Sequence, residues 1–263
     1  MLRSALQLIP VMALAASAAP AAEYLIVCSG QSNMDGRVPA EQRPATLAVM
    51  PPNVRYYIGA ASNDKPMRPR VKLVDDKERF GPVPECLLTL SASRPADTFI
   101  AVKVAVGATA LWQWVPDYDA GTSGFAKGAK DQANGHLYEG LAKAIAQARA
   151  AHPRAIPLAA LWLQGEADHK PEQAAIYLPN LRRLVANLRR DMGSATLAFI
   201  AAEPGSGQAQ VYAAFPALAA EDPRAFVVRA KDLSHMDNAH YDLAAITTIG
   251  QRYAAALHAL LPR

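Results

Sequence analysis

The stretch Gly30-Gln31-Ser32-Asn33 follows a short apolar run, Tyr24–Cys28, and sets a serine between two amide side chains. A serine where a buried strand ends can attack an acyl carbon, its own backbone N–H stabilising the oxyanion that forms. The stretch lacks the second glycine of a G-x-S-x-G elbow, which argues against an ordinary α/β-hydrolase. A serine that merely caps a helix would read the same way locally. A partner base is available far along the chain. KDLSHMDNAHYD, residues 231–242, holds two Asp-x-x-His pairs, Asp232/His235 and Asp237/His240. In a tight loop, a carboxylate three residues before a histidine can accept one imidazole N–H and leave the other nitrogen to take the serine proton. Local spacing permits either pair. His152 and His258 fall in predicted helices, and His136 and His169 near helix starts, where histidines read as surface or capping residues.

Two further segments supply polar groups at strand ends. In Val106-Gly107-Ala108-Thr109-Ala110-Leu111-Trp112-Gln113-Trp114, Gly107 has no side chain to obstruct its N–H, which suits a second oxyanion donor. Trp112 and Trp114 read equally as a wall for a sugar or acyl group and as core. In Leu161-Trp162-Leu163-Gln164-Gly165-Glu166-Ala167-Asp168, the amide of Gln164 can point into the same crevice. Glu166 and Asp168 read as loop anchors or as a carboxylate pair of the kind glycoside hydrolysis uses.

These segments need elements to hold them. Tyr24–Cys28, Val54–Ile58, Thr98–Val106, Leu158–Leu163 and Thr196–Ala201 read as strands, and Ala225–Arg229 as a sixth. Several are continuous apolar runs, as in parallel strands buried on both faces. Helical patterns lie between them at Glu85–Ser93, Leu137–His152, Gln173–Met192, Val211–Ala220 and Leu243–Leu261, with Gly193 placed as a left-handed cap. The alternation predicts a three-layer α/β/α sandwich around a mostly parallel sheet of five strands, or six with the last. Ligands of such sheets bind beyond the carboxyl ends of the strands, where all the segments above lie.

Composition narrows the rest. The chain has 263 residues, 51% hydrophobic, which suits one large α/β domain. Arg3, the apolar stretch Ala5–Ala16 and the small-x-small patterns Ala16-Ser17-Ala18 and Ala19-Pro20-Ala21 read as a secretory leader over residues 1–22. The mature domain is then 23–263, secreted or periplasmic, with no stable membrane insertion, since the run is short for a bilayer span. Losing Arg3 lowers the formal charge from +4 to +3, too mild and scattered for a nucleic-acid partner. Cys28 and Cys86 can pair or stay buried as thiols; two cysteines without clustered histidines make no zinc site.

Taken together, GQSNMDGR, LWLQGEAD and DNAHYD…GQRYA resemble the opening, W-x-Q-G-E-x-D and closing D-x-x-H blocks of the SGNH-hydrolase superfamily. Within it the chain is similar to carbohydrate esterases grouped with sialate O-acetylesterase and acetylxylan esterases. The resemblance implies the SGNH-hydrolase, flavodoxin-like fold, Ser32 as nucleophile, and Asp237 with His240 rather than the earlier pair. It implies an oxyanion hole of the Ser32 and Gly107 N–H groups with the Gln164 amide, and no metal or organic cofactor. Gln31, Asn33, Trp112 and Glu166 are the candidate substrate contacts. Two positions depart from the family pattern: Ala108 stands where a second glycine is usual, and Asn238-Ala239 where Gly-Ile is usual. The implied activity is removal of O-acetyl groups from a carbohydrate through an acetyl-enzyme. A lipase or thioesterase of the same superfamily, or an inactive carbohydrate-binding relative, is the alternative.

Overall fold

The computed structural model describes residues 21–60, 66–117 and 137–262. The predicted leader (all but its last two residues), the loop Tyr118–Asn134 and His136 lie outside these residues. In chain order the elements are β1 (Glu23–Gly30), α1 (Ser32–Asp35), β2 (Val38–Pro39), β3 (Val54–Ile58), β4 (Arg68–Pro69), β5 (Arg79–Phe80), α2 (Val83–Ser93) and β6 (Thr98–Ala105). They continue with α3 (Leu137–Ala151), β7 (Ile156–Leu163), α4 (Pro171–Ala175), α5 (Tyr177–Met192), β8 (Ala198–Ala202), α6 (Ala209–Glu221), β9 (Ala225–Val228) and α7 (Leu243–Leu260).

Among the described residues, seven strands form the main sheet in the order β4-β3-β6-β1-β7-β8-β9. Six run parallel; β4 is an antiparallel two-residue edge on β3. The sheet is therefore larger than five or six strands, because β4 is too short to carry a hydrophobic period. Central β1 alternates cleanly. Leu25 and Val27 face one core with Leu141 of α3, Leu181 of α5 and Val211 of α6; Ile26 and Cys28 face the other with Leu87 of α2 and Ile249 of α7. Burying such side chains contributes roughly 1.5–3 kcal/mol each, which is why β1 reads as one apolar run.

The helix predicted over Gln173–Met192 is two helices broken at Ile176. Pro179 has no N–H for the Ala175 carbonyl and its ring would crowd that carbonyl, so the turn cannot continue. Gly193 takes the left-handed cap, φ 65° and ψ 32°, its N–H bonding the Arg189 and Arg190 carbonyls. Cys28 and Cys86 are free, buried thiols. Burial pushes the Cys28 thiol up to about 12.

The chain order reverses on either side of β1: β6 pairs with one edge of it and β7 with the other. The crevice beyond the carboxyl ends of these three strands is the place such a sheet offers a ligand.

Candidate active site

Gly30 ends β1 at φ 148°, a conformation open to glycine, and a Cβ there would lie 2.1 Å from the Leu163 carbonyl oxygen. The chain therefore turns hard against β7, Gln31 N–H donates to Leu163 O at 3.0 Å, and α1 starts at Ser32. The hydroxyl of Ser32 lies 3.0 Å from His240 Nε2, although 208 residues separate the two. His240 Nδ1 lies 2.8 Å from Asp237 Oδ2. The other Asp237 oxygen accepts the Ala239 and His240 backbone N–H groups at 2.8 Å each. The bond from His240, reinforced by those N–H donors, holds the Asp237 carboxyl down at about 2. Asp237 is thus an anion at any physiological pH, and it fixes the proton of His240 on Nδ1.

The competing pair does not assemble. Asp232 makes no hydrogen bond to His235, which instead stacks on Tyr241 with ring centroids 4.7 Å apart. Of the remaining histidines, His152 accepts or donates at Tyr57 OH (2.9 Å) and His258 meets Ser93 Oγ (3.3 Å), both away from the crevice. His169 is different: it lines the crevice wall, a place its position near a helix start did not suggest.

Gln164 does not serve as predicted. It is fully buried, its NH₂ group is shared among Thr109 O (2.9 Å), Asp168 Oδ2 (2.5 Å) and Gln31 Oε1 (3.2 Å), and it does not line the crevice. Tyr177 OH donates to its carbonyl oxygen at 3.0 Å. Gln31 takes the place on the crevice wall. Its side-chain oxygen accepts from Gln164 and from the Ala167 N–H at 3.2 Å each, while its NH₂ has no acceptor among the described residues, on a residue that lines the crevice. The Ser32 and Gly107 N–H groups likewise have no acceptor among the described residues, and both residues line the crevice.

Asn33 and Trp112 are also corrected. Asn33 is 2% exposed and turns away from the crevice; Nδ2 donates to Ala239 O at 2.9 Å and to Glu166, and Oδ1 accepts the Tyr241 N–H at 3.1 Å. It clamps the loop that carries His240 to the turn that carries Ser32. Trp112 packs with Ala110 and Ala167 in a small buried cluster outside the crevice lining. Trp114 is core, edge-on to Trp162 at 5.9 Å. Glu166 does line the crevice, and burial raises its carboxyl despite the Gly205 N–H at 3.1 Å and the Asn33 amide.

The crevice holds about 730 Å³ and its described lining includes Gln31, Arg37, Gln113, Glu166, Lys170 and Gln173. Arg37 was not singled out from the sequence, where it looks like one more surface charge. One guanidinium nitrogen bonds Asp35 (2.8 Å) and Gly36 O (2.6 Å); the other, Nη2, would sit 2.3 Å from a Cβ on Gly107. Arg37 thus lies across Gly107, and a side chain there would have to displace the guanidinium. Ala108 adopts φ 59°, the left-handed conformation that a glycine would take without strain. Among the described residues no group of three or more His, Cys, Asp or Glu side chains is placed to hold a metal ion.

Residues 22–259 match the family model described as carbohydrate esterase, sialic acid-specific acetylesterase. Three solved structures share the fold. A protein of Arabidopsis thaliana is 23% identical, with a TM-score of 0.69 over 90% of this chain and 98% of its own. A structure titled as a novel carbohydrate acetylesterase from Xanthomonas citri is 17% identical, TM-score 0.67, over 90% of this chain and 56% of its own. NanS is 14% identical, TM-score 0.64, over 92% and 98%. No curated protein matches the chain.

Proposed function

The chain belongs to the carbohydrate esterases, in the family of sialic acid-specific acetylesterases, and from that premise we propose that it releases acetate from an O-acetylated sugar through an acetyl-enzyme on Ser32. The observation that carries this reading is the continuous chain Ser32 Oγ, His240 Nε2 at 3.0 Å, and His240 Nδ1 to Asp237 Oδ2 at 2.8 Å. His240 Nε2 takes the hydroxyl proton as Ser32 Oγ attacks the acetyl carbon, and the Asp237 carboxylate stabilises the imidazolium. The oxyanion is held by the Ser32 and Gly107 N–H groups and the Gln31 NH₂, with Gln164 as the buried anchor that orients Gln31. The His240 proton then passes to the departing sugar oxygen. Water, deprotonated by the same nitrogen, attacks the acetyl-enzyme and releases acetate.

The crevice supports a short acyl group on a polar alcohol, because its described walls carry amides and charges where a lipase would need a long apolar groove. Export of the mature chain is also part of this reading, carried by the first 22 residues; the N-terminal sequence of the protein recovered from the periplasm or medium tests it. The function is tested with Ser32→Ala on p-nitrophenyl acetate and on acetylated sugars. The expected loss in kcat is about 10³-fold or more. Wild-type turnover by that variant would refute the assignment.

A further inference from the structure

The hydrolytic steps call on no arginine, yet one lies against the nucleophile. Arg37 arrives there through a turn that requires glycine: Gly36 has φ 120°, and a Cβ on it would lie 2.4 Å from the Phe80 carbonyl carbon. The turn sends the chain back on itself, so the Arg37 side chain returns over the crevice instead of running out into solvent. Nη1 then ties it down twice, to the Asp35 carboxylate at 2.8 Å and to the Gly36 carbonyl at 2.6 Å.

The second guanidinium nitrogen, Nη2, is left on the side of the nucleophile. A Cβ built on Gly107 would meet Nη2 at 2.3 Å and the Ser32 Cβ at 3.5 Å, so the guanidinium and the serine side chain lie against one face of Gly107. Neither N–H of Nη2 finds an acceptor among the described residues. The Arg37 side chain is only 24% exposed, so its charge has given up much of its hydration. Among the described lining, the carboxylate within the crevice is Glu166, and its bonds go to Asn33 and the Gly205 N–H rather than to Arg37. A guanidinium fixed at one end and unpaired at the other fits an acceptor that arrives with the substrate.

We propose that Arg37 is a further catalytic residue, whose Nη2 donates to the oxyanion of the tetrahedral intermediate on Ser32. The attacked carbon is bonded to Ser32 Oγ, so its oxygens form within a few bonds of the Cβ that Arg37 flanks. The Ser32 and Gly107 N–H groups and the Gln31 NH₂ are neutral donors; Arg37 adds a charged one, roughly twice as strong. The negative charge is absent from the ester and present in the intermediate, so the contact strengthens during the reaction and acts on kcat more than on binding. No proton leaves the guanidinium; His240 carries the proton throughout. The role rests on the acetyl-enzyme reading and deepens it.

The test measures kcat and KM on p-nitrophenyl acetate for Arg37→Ala, with and without millimolar guanidinium chloride. The variant should lose about 10²-fold in kcat with KM within about threefold of wild type. Guanidinium ion should restore about tenfold or more of that loss, and sodium chloride at the same strength none of it. The melting temperature of the variant should not respond to the ion, which separates a charge at the oxyanion from a prop for the turn. Turnover by Arg37→Ala within about twofold of wild type, a loss carried in KM, or a folded variant that guanidinium does not revive would each overturn the role. Should the alanine variant not fold, Arg37→Lys decides: it keeps the charge and loses the fork, so kcat should fall about tenfold, and wild-type kcat would overturn the role. Ser32→Ala separates this inference from its premise. Wild-type turnover by that variant removes the acetyl-enzyme reading itself, whereas an inactive Ser32→Ala beside a fully active Arg37→Ala removes Arg37 alone.

Discussion

The two halves of the hydrolytic site are held in different ways. Ser32 sits at the mouth of the central strand, and its neighbours Gln31, Asn33 and Gln164 are buried and tied by several hydrogen bonds each. Asp237 and His240 sit on a loop with no strand or helix beneath them, and about half of the Asp237 side chain is exposed. The nucleophile is fixed by the fold. The base is fixed by one local carboxylate and by the Asn33 clamp. The first arrangement resists distortion because moving it unpairs buried amides; the second can be altered with little effect on stability.

The largest effect belongs to the exposed half. His240→Ala should lower kcat by about 10³-fold or more with little change in melting temperature, since the ring's hydrogen bonds go only to the half-exposed Asp237 carboxylate and to the Ser32 hydroxyl at the crevice. An equal loss of stability would show that the loop is part of the core after all. Asn33→Ala joins the two halves and should damage both. It leaves the Tyr241 N–H and the Ala239 carbonyl unpaired, at roughly 1–3 kcal/mol per buried group, and frees His240 to drift, at a cost of about 10²-fold in kcat. Loss of stability with full activity would mean the clamp does not position the base.

A third effect is confined to the buried half. Burial pushes the Asp168 carboxyl up to about 7, against the pull of the Gln164 amide and the Leu111 N–H. An unfolded aspartate titrates near about 3.9, so between roughly pH 4 and 7 the native state binds the extra proton and stability falls as pH rises. Asp168→Asn removes that term. The advantage of wild type over the variant should therefore shrink from pH 4.5 to 7 and level off above, as measured by urea unfolding. A difference that stays flat would show that Asp168 is ionised in the folded protein. The smallest effect is at the crevice rim: Ala108→Gly should relieve the strain of φ 59° and stabilise by up to about 1 kcal/mol with kcat within a factor of about two.

The same contrast explains what could be read in the sequence. The six parallel strands were legible because burial on both faces leaves continuous apolar runs. Ser32 stood out by its place at a strand end, but local spacing offered two Asp-x-x-His pairs, and only the family resemblance pointed to Asp237 and His240. The direction of an amide is not local. Gln164 and Gln31 both stand at strand ends, and only the positions of Asp168, Thr109 and Tyr177 decide that one is the anchor and the other faces the crevice. Arg37 escaped notice for a similar reason: an arginine two residues past Asp35 reads as solvated until the turn at Gly36 lays it over Gly107. Trp112 pointed the other way, since an aromatic near a site is as often core as wall. The break at Ile176 was written in Pro179, which a periodicity read over Gln173–Met192 passes over.

The central claim is that Ser32 is a hydroxyl activated by His240 across 3.0 Å. It is tested most directly by treating the wild-type protein and His240→Ala with a fluorophosphonate, then reading the intact mass and the modified peptide. One adduct per wild-type chain, located on Ser32, with labelling slowed by orders of magnitude in the variant, is the expected result. An unlabelled wild-type chain, or an adduct on any other residue, would contradict it.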